Sequence, residues 1–86
     1  MNVRIPDPLR SYTDRRKVVE ASGETLAAVF ADLDRQFPGI RFRVVDEQDR
    51  LRKHMKVFVN AEAVRDLAVS IAPGDEVTIM QALSGG

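Results

Sequence analysis

The 86-residue chain contains no cysteine. It therefore cannot form a disulfide, offers no thiolate to a metal ion, and has no nucleophilic thiol of its own. Its charge is also balanced, because 13 Lys and Arg residues face 13 Asp and Glu residues. No net charge is available to hold a nucleic-acid backbone or an anionic membrane, so we expect neither as a partner.

The N-terminal segment lacks an apolar run long enough for a signal peptide or a membrane span, since Arg4, Pro6, Asp7 and Pro8 interrupt it. We therefore expect a cytoplasmic protein. A chain of this length has room for one domain with one modest core. Its hydrophobic fraction of 44% argues against wholesale disorder.

The charges are unevenly distributed along this neutral chain. Residues 1–56 carry twelve basic and nine acidic side chains, whereas residues 57–86 carry one basic and four acidic side chains. The four acidic residues are Glu62, Asp66, Asp75 and Glu76. Two interpretations are open: the bias steers a basic partner toward the C-terminus, or these are ordinary solvated loop charges.

Alternation of apolar and polar residues predicts strands at residues 2–5, 55–59 and 76–80, and β-branched residues after a turn predict another at 16–21. A brief strand is expected near 63–64, after a short turn at 60–62. Between the second and third strands the period changes to that of a helix with one apolar stripe. The stripe consists of Leu26, Val29, Phe30, Leu33 and Phe37. We expect Thr25 to cap this helix and Pro38-Gly39 to end it.

Residues 40–54 are predicted to form a short helical turn followed by a charged loop. Asp46, Glu47 and Asp49 lack the twelve-residue pattern of a calcium-binding loop, and His54 has no second histidine beside it. We therefore expect no metal site, and we expect His54 at the surface.

The predicted elements specify an α+β domain over residues 1–80, in which one helix covers one face of a mixed sheet. Residues 81–86 carry no charged side chain and end in two glycines, which have no side chains with which to pack. We expect these six residues to form a flexible C-terminal tail, which would reach roughly 20 Å when extended.

Three sequence features together resemble the MoaD/ThiS family of sulfur carriers. They are Val57-Phe58-Val59-Asn60, the Pro73-Gly74-Asp75-Glu76-Val77 turn into the last strand, and the terminal Ser84-Gly85-Gly86. The likeness runs over nearly the whole chain, although the family usually has Asn-Gly where this sequence has Asn60-Ala61. The resemblance implies a ubiquitin-like β-grasp fold, with a mixed four- to five-stranded sheet and one main helix packed across it.

The resemblance also implies a function centred on Gly86. An adenylating enzyme of the ubiquitin-activating type would use ATP and Mg²⁺ to activate the terminal carboxylate, and a persulfide sulfur would then replace the nucleotide to leave a thiocarboxylate. The thiocarboxylate would donate sulfur in cofactor, amino-acid or metabolite biosynthesis. The implied partners are the activating enzyme, a sulfur donor or sulfurtransferase, and a downstream sulfur-accepting enzyme.

The chemistry of the tail agrees with this role. The α-carboxylate of Gly86 is ionised at neutral pH and is a poor electrophile until it is activated. Gly85 and Gly86 lack side chains and can enter a narrow channel, while Leu83 and Ser84 complete the tail. The chain has no glycine-rich phosphate loop, so we expect it to bind no cofactor and to be a carrier rather than an enzyme.

A partner surface is predicted on the outer face of the sheet. If Val57, Val59, Val77 and Ile79 face the helix, strand alternation places Phe58, Thr78 and Met80 on the other face. This apolar patch is either a partner-binding site near the tail or ordinary core covered by residues 40–54.

Two other functions use the same tail. One is a protein modifier, in which the activated Gly86 forms an isopeptide bond with a lysine of another protein. The other is the small subunit of a heterodimer of the molybdopterin synthase type, in which the tail enters the active site of the large subunit.

Overall fold

The computed structural model describes residues 1–82. Within them, five strands form one sheet in the order β2-β1-β5-β3-β4. The strands are β1 (Asn2–Arg4), β2 (Val18–Glu20), β3 (Met55–Val59), β4 (Glu62–Val64) and β5 (Glu76–Gln81). β1 and β5 are parallel, whereas the other three pairings are antiparallel. The predicted α+β class and mixed sheet are confirmed.

The main helix, α1 (Leu26–Gln36), covers one face of this sheet. Its N-cap is Thr25, whose hydroxyl oxygen accepts a hydrogen bond from the backbone N–H of Ala28 at 3.2 Å. After the helix, Gly39 adopts a φ of 98°, a left-handed conformation that glycine enters without steric cost. The predicted start and end of the helix are therefore confirmed.

The core lies between α1 and the inward faces of the strands. Strand alternation buries the inward residues of the central strand, where Val77 is 0% and Ile79 2% exposed, whereas Val59 at the end of β3 is half-buried. The helix contributes four buried residues, which are Leu26, Val29, Phe30 and Leu33.

Residues 40–54 pack on the same side of the sheet as α1. The predicted helical turn is confirmed as α2 (Ile40–Val44). Its residues Ile40 and Val44, together with Val45 and Leu51 from the following loop, are buried in the common core. This segment therefore adds to the helix-side layer.

The 3₁₀ helix Asp7–Thr13, between β1 and β2, was not predicted. Its two buried residues are Leu9 and Thr13, which are too few to form a recognisable apolar period. Pro6 and Pro8 end the strand, as expected, but they also suit the start of a helix because proline lacks the N–H that a first turn leaves unused.

The boundary between domain and tail needs correction. The predicted tail begins at residue 81, yet Gln81 lies in β5 and pairs with Met55. The backbone N–H of Ala82 also donates to the carbonyl oxygen of His54 at 2.7 Å. Gln81 and Ala82 belong to the folded domain, because the start of β3 supplies partners for their backbone groups. The predicted site residues Leu83, Ser84, Gly85 and Gly86 lie outside the described residues.

None of the helices within residues 1–82 is both long and apolar enough to span a bilayer.

Candidate functional site

The described residues end at the C-terminal end of β5, which is the central strand of the sheet. We call residues 80–82 the tail root. β5 is the central strand, with β1 on one side and β3 on the other. Residues 83–86 therefore continue from a position that is flanked by folded chain on both sides.

The predicted partner patch is assembled as expected on the outer face of the sheet. Phe58 and Thr78 are directly opposite each other in the β3–β5 pairing. Both are half-buried, and Met80 is 49% exposed. The interpretation in which residues 40–54 cover this patch is wrong, because those residues contribute their apolar side chains to the opposite face. That the patch binds a partner stays a prediction.

One flank of the tail root is a cleft of about 620 Å³ between the end of β1 and the end of β5. Its lining includes Arg10 and Lys17, and it extends to Gln81 and Ala82. Arg10 donates from Nε to the carbonyl oxygen of Ile5 at 3.1 Å and forms an ion pair with Asp7. This flank therefore carries positive charge beside the last residues of the strand.

The other flank is a smaller cleft of about 270 Å³, lined by Phe42, Arg43, Arg52, His54 and Gln81. The guanidinium carbon of Arg52 lies 4.5 Å from the centroid of the Phe42 ring, and its Nε donates to the Phe42 carbonyl oxygen at 2.7 Å. Phe42 is nevertheless 55% exposed. Its position between Ile40 and Val44, out of phase with both, was the sequence signal that it points away from the core.

The acidic residues of the C-terminal third lie elsewhere. Asp75 and Glu76 stand at the start of β5, about 17 Å along the strand from Gln81. The interpretation that the acidic C-terminal third steers a basic partner toward the tail is therefore wrong for these two residues. Proximity in sequence does not place them near the tail root, because an extended strand separates them from it.

Asp75 has a structural role at that end. Its carboxylate accepts hydrogen bonds from the backbone N–H of Ala72 at 2.8 Å and from the side-chain amide of Asn60 at 3.0 Å. These two bonds, the Ala72 bond foremost, hold the pKa of Asp75 below its usual value. Asn60 also accepts from the N–H of Glu76 at 3.0 Å, so its side chain ties the β3–β4 turn to the start of β5.

The turn at Asn60-Ala61 explains how this chain tolerates alanine where the family usually has glycine. Asn60 has a φ of 57°, and Ala61 is not among the residues with positive φ. A type I′ turn would require positive φ at both positions. Here only Asn60 is left-handed, a conformation that asparagine enters more readily than most residues.

Two of the loop carboxylates, Asp46 and Asp49, bind other groups of the protein. Asp46 accepts from the backbone N–H groups of Arg50 and Gln48, and these bonds, that from Arg50 foremost, lower its pKa. Asp49 forms an ion pair with Arg41 at 2.8 Å. Within residues 1–82, no three His, Asp or Glu side chains come together as a possible metal site.

Comparison with known proteins gives matches over the full chain. The ThiS family model matches residues 3–86. Sulfur carrier protein CysO from Mycobacterium tuberculosis is 43% identical over 91 residues, covering 100% of this chain and 98% of that protein.

Two solved structures are similar in fold. One is the BexX/CysO complex from Amycolatopsis orientalis, with a TM-score of 0.92 and 36% identity, covering 99% of this chain and 98% of that chain. The other is small archaeal modifier protein 1 from H. volcanii, with a TM-score of 0.77 and 25% identity, covering 96% of this chain and 97% of that chain. The expected ubiquitin-like β-grasp architecture is confirmed by this agreement.

Proposed function

The chain belongs to the ThiS family, and on that premise we propose that it is a sulfur carrier whose Gly86 carboxylate is converted to a thiocarboxylate and then gives its sulfur to an acceptor. The observation that carries the proposal is the family match, which continues through Gly85 and Gly86. The 43% identity to a sulfur carrier protein supports it further.

The position of the tail root suits delivery of that carboxylate to another protein. β5 pairs with β1 as far as Thr78 and with β3 as far as Gln81, so pairing with β3 fixes the point from which residues 83–86 continue. Four residues span at most about 14 Å when fully extended. We propose that the partner encloses these residues while the folded domain stays at its surface.

The chemistry begins with an ionised carboxylate that is a poor electrophile. We propose that a partner enzyme holding ATP and Mg²⁺ activates it: a carboxylate oxygen attacks the α-phosphorus, pyrophosphate leaves, and an acyl-adenylate forms. A persulfide sulfur then attacks the acyl carbon and AMP leaves, giving an acyl disulfide. A thiol reduces the disulfide and releases the thiocarboxylate. The carrier supplies the acyl group, and the partner supplies the catalytic groups.

We assign Phe58, Thr78 and Met80 as part of the surface that the activating enzyme and the downstream sulfur-accepting enzyme bind. An aromatic ring and a thioether on an uncovered sheet face are well suited to an interface with several partners. We propose that this chemistry takes place in the cytoplasm, where ATP is available.

The experiment is intact mass spectrometry of the carrier after incubation with its activating enzyme, ATP and a sulfur donor. We expect a mass change that corresponds to exchange of one oxygen for one sulfur at Gly86. Deletion of Gly86 should abolish the exchange, whereas Ser84→Ala, as the matched control in the same segment, should retain it. A Gly86 deletion variant that is still sulfurated would contradict the proposal.

The likeness to small archaeal modifier protein 1 favours a second candidate function, conjugation to lysines of other proteins. Both functions begin with the same activation of Gly86. They differ in their products, because a modifier gives higher-mass conjugates that resist reducing agent, and a sulfur carrier gives a thiocarboxylate. Immunoblotting of cell extracts for the carrier separates the two.

A further inference from the structure

We infer that the tail root is surrounded by a basic collar, and that this collar binds an acidic rim around the active-site entrance of the enzyme that receives the tail. The collar consists of Arg10, Lys17, Arg43, Arg52, Lys53 and Lys56. The inference rests on the proposed function, and it specifies the charge of the partner's surface around the entrance to its active site.

Three segments that are distant in sequence meet at the collar. Strand pairing sets Lys56 opposite Met80. The backbone N–H of Ala82 donates to the carbonyl oxygen of His54, which directly follows Lys53 in the chain. Arg43 and Arg52 line the cleft that ends at Gln81.

On the other side of β5, Arg10 and Lys17 line the cleft that ends at Gln81 and Ala82. Positive side chains therefore stand on both sides of the tail root.

The charges of the collar are mostly uncompensated. Of its six cations, only Arg10 has a carboxylate partner within residues 1–82, namely Asp7. Arg52 donates to a backbone carbonyl and forms no ion pair, although its charge, after the backbone N–H of Arg50, helps to lower the pKa of the nearby Asp46. Lys17, Lys53 and Lys56 are exposed. A cluster of like charges in this state repels itself, and a partner of opposite charge relieves that repulsion.

The exposed ring of Phe42 indicates a protein partner. An aromatic side chain stacked against an arginine is a combination enriched at the centres of protein interfaces. The nucleotide is a poor alternative ligand for the collar, since a tail extended into the partner places the reacting carboxylate about 14 Å beyond the tail root. The collar therefore meets the partner's outer surface, where carboxylates around the entrance would complement it.

The charges at the opposite end of the sheet favour the same orientation of the carrier on its partner. Glu20, Asp75 and Glu76 lie where β5 begins, and the Met1 ammonium and Arg4 pair with Glu20 and Glu76. The neutral chain therefore has a basic end at the tail and, away from it, an end with a small acidic excess. An acidic rim attracts the first end and repels the second. Such complementarity raises association rates and selects the productive orientation.

The test compares two double variants that lose the same charge. Lys53→Gln/Lys56→Gln removes two cations from the collar. Arg35→Gln/Arg50→Gln removes two exposed cations from α1 and from the loop before β3, outside the collar. Thiocarboxylate formation by the activating enzyme with ATP and sulfide is followed by intact mass, and the KM for the carrier is measured at low and high salt.

We expect the KM of the wild-type carrier to increase with salt. The collar variant should raise the KM about tenfold at low salt and weaken its dependence on salt. The control variant should behave as wild type. Arg43→Gln, in a separate segment, should raise the KM by a smaller factor, and it replaces the double variant in the test should that protein fail to fold.

The outcomes are distinguishable from those of the proposed function. A wild-type carrier that acquires no sulfur contradicts the sulfur-carrier function itself. A wild-type carrier that is sulfurated, with collar variants that keep its KM and salt dependence, overturns the collar. Equal increases in KM for the collar and control variants also overturn it, since net charge alone would then explain the effect.

Discussion

The two ends of the sheet use their polar side chains in different ways. Where β5 begins, Asn60 and Asp75 bond to each other and to backbone groups, and Arg4 pairs with Glu76 at 3.2 Å. At the tail root, Lys53 and Lys56 have no carboxylate partner within residues 1–82. The first end therefore stabilises the fold, and the second is available to another molecule.

This difference separates stability from recognition along a single strand. Substitutions at the start of β5 should lower the free energy of unfolding and leave partner binding intact. Substitutions at the tail root should weaken partner binding and leave the free energy of unfolding unchanged.

Ile79→Ala should have the largest effect. Ile79 is 2% exposed in the centre of β5, and removal of a buried branched side chain leaves a cavity. We expect a loss of about 2–5 kcal/mol in the free energy of unfolding, measured by urea denaturation. Met80→Ala, at the neighbouring outward position, should change it by less than about 0.5 kcal/mol. Equal losses for both variants would mean that Met80 on the outer face is packed as tightly as Ile79 in the core.

Asn60→Ala should have the next largest effect on stability. It removes two side-chain hydrogen bonds and places an alanine at a φ of 57°. We expect a loss of about 1–2 kcal/mol by chemical denaturation. Asn60→Gly should lose less, because glycine adopts this φ without strain. The interpretation fails if the alanine and glycine variants are both as stable as wild type.

Asp75→Asn should change how stability depends on pH. The pKa of Asp75 is lower in the folded than in the unfolded chain, because its ionised form accepts the hydrogen bonds of Ala72 and Asn60. Its contribution is present above about pH 4 and is lost as the pH falls through the folded pKa. The Tm of wild type should therefore exceed that of the variant at pH 6, and the gap should narrow in acid.

The remaining acid sensitivity of the variant has an identified source. Asp32 and Asp46 also have lowered pKa values, Asp32 chiefly through the side chain of Arg35 and Asp46 chiefly through the backbone N–H of Arg50. The stabilising contributions of both carboxylates should still be lost in acid, so the variant should remain less stable there. A Tm gap that stays constant from pH 6 to strong acid would argue against a role for the ionised Asp75.

Lys53→Gln/Lys56→Gln should have the smallest effect on stability. Both side chains are exposed and have no ion pair within residues 1–82. We expect a change within about 0.5 kcal/mol by thermal unfolding, although the same variant should weaken binding to the activating enzyme. A clear destabilisation would mean that these lysines stabilise the fold, and the two ends of the sheet would then not differ in their roles.

The elements predicted from local patterns agree with the structure. The spacing of Leu26, Val29 and Leu33 is a property of a few consecutive turns, so α1 follows from the sequence alone. Alternation identified the inward residues of β1, β3 and β5 for the same reason. The 3₁₀ helix was missed, because Leu9 and Thr13 alone define no period.

The tail root was only partly predictable. The outward positions of Phe58, Thr78 and Met80 follow from strand alternation. The inclusion of Gln81 in β5 depends on its pairing with Met55, which no local pattern reports. Arg52 and Phe42 were missed as residues that line one cleft with Gln81, because that cleft forms only after α2 packs beside α1.

The sequence by itself determines which faces are apolar and that Gly85-Gly86 follows the last strand, since side-chain period and the absence of side chains are local properties. Only the tertiary structure decides which charges surround the point where that segment begins. The insertion of β5 between β1 and β3 carries Glu76 to one end of the sheet and brings Lys17 and Lys53 to the other. Surface charge depends on which segments become neighbours, and so a chain with no net charge acquires a basic end and an acidic end.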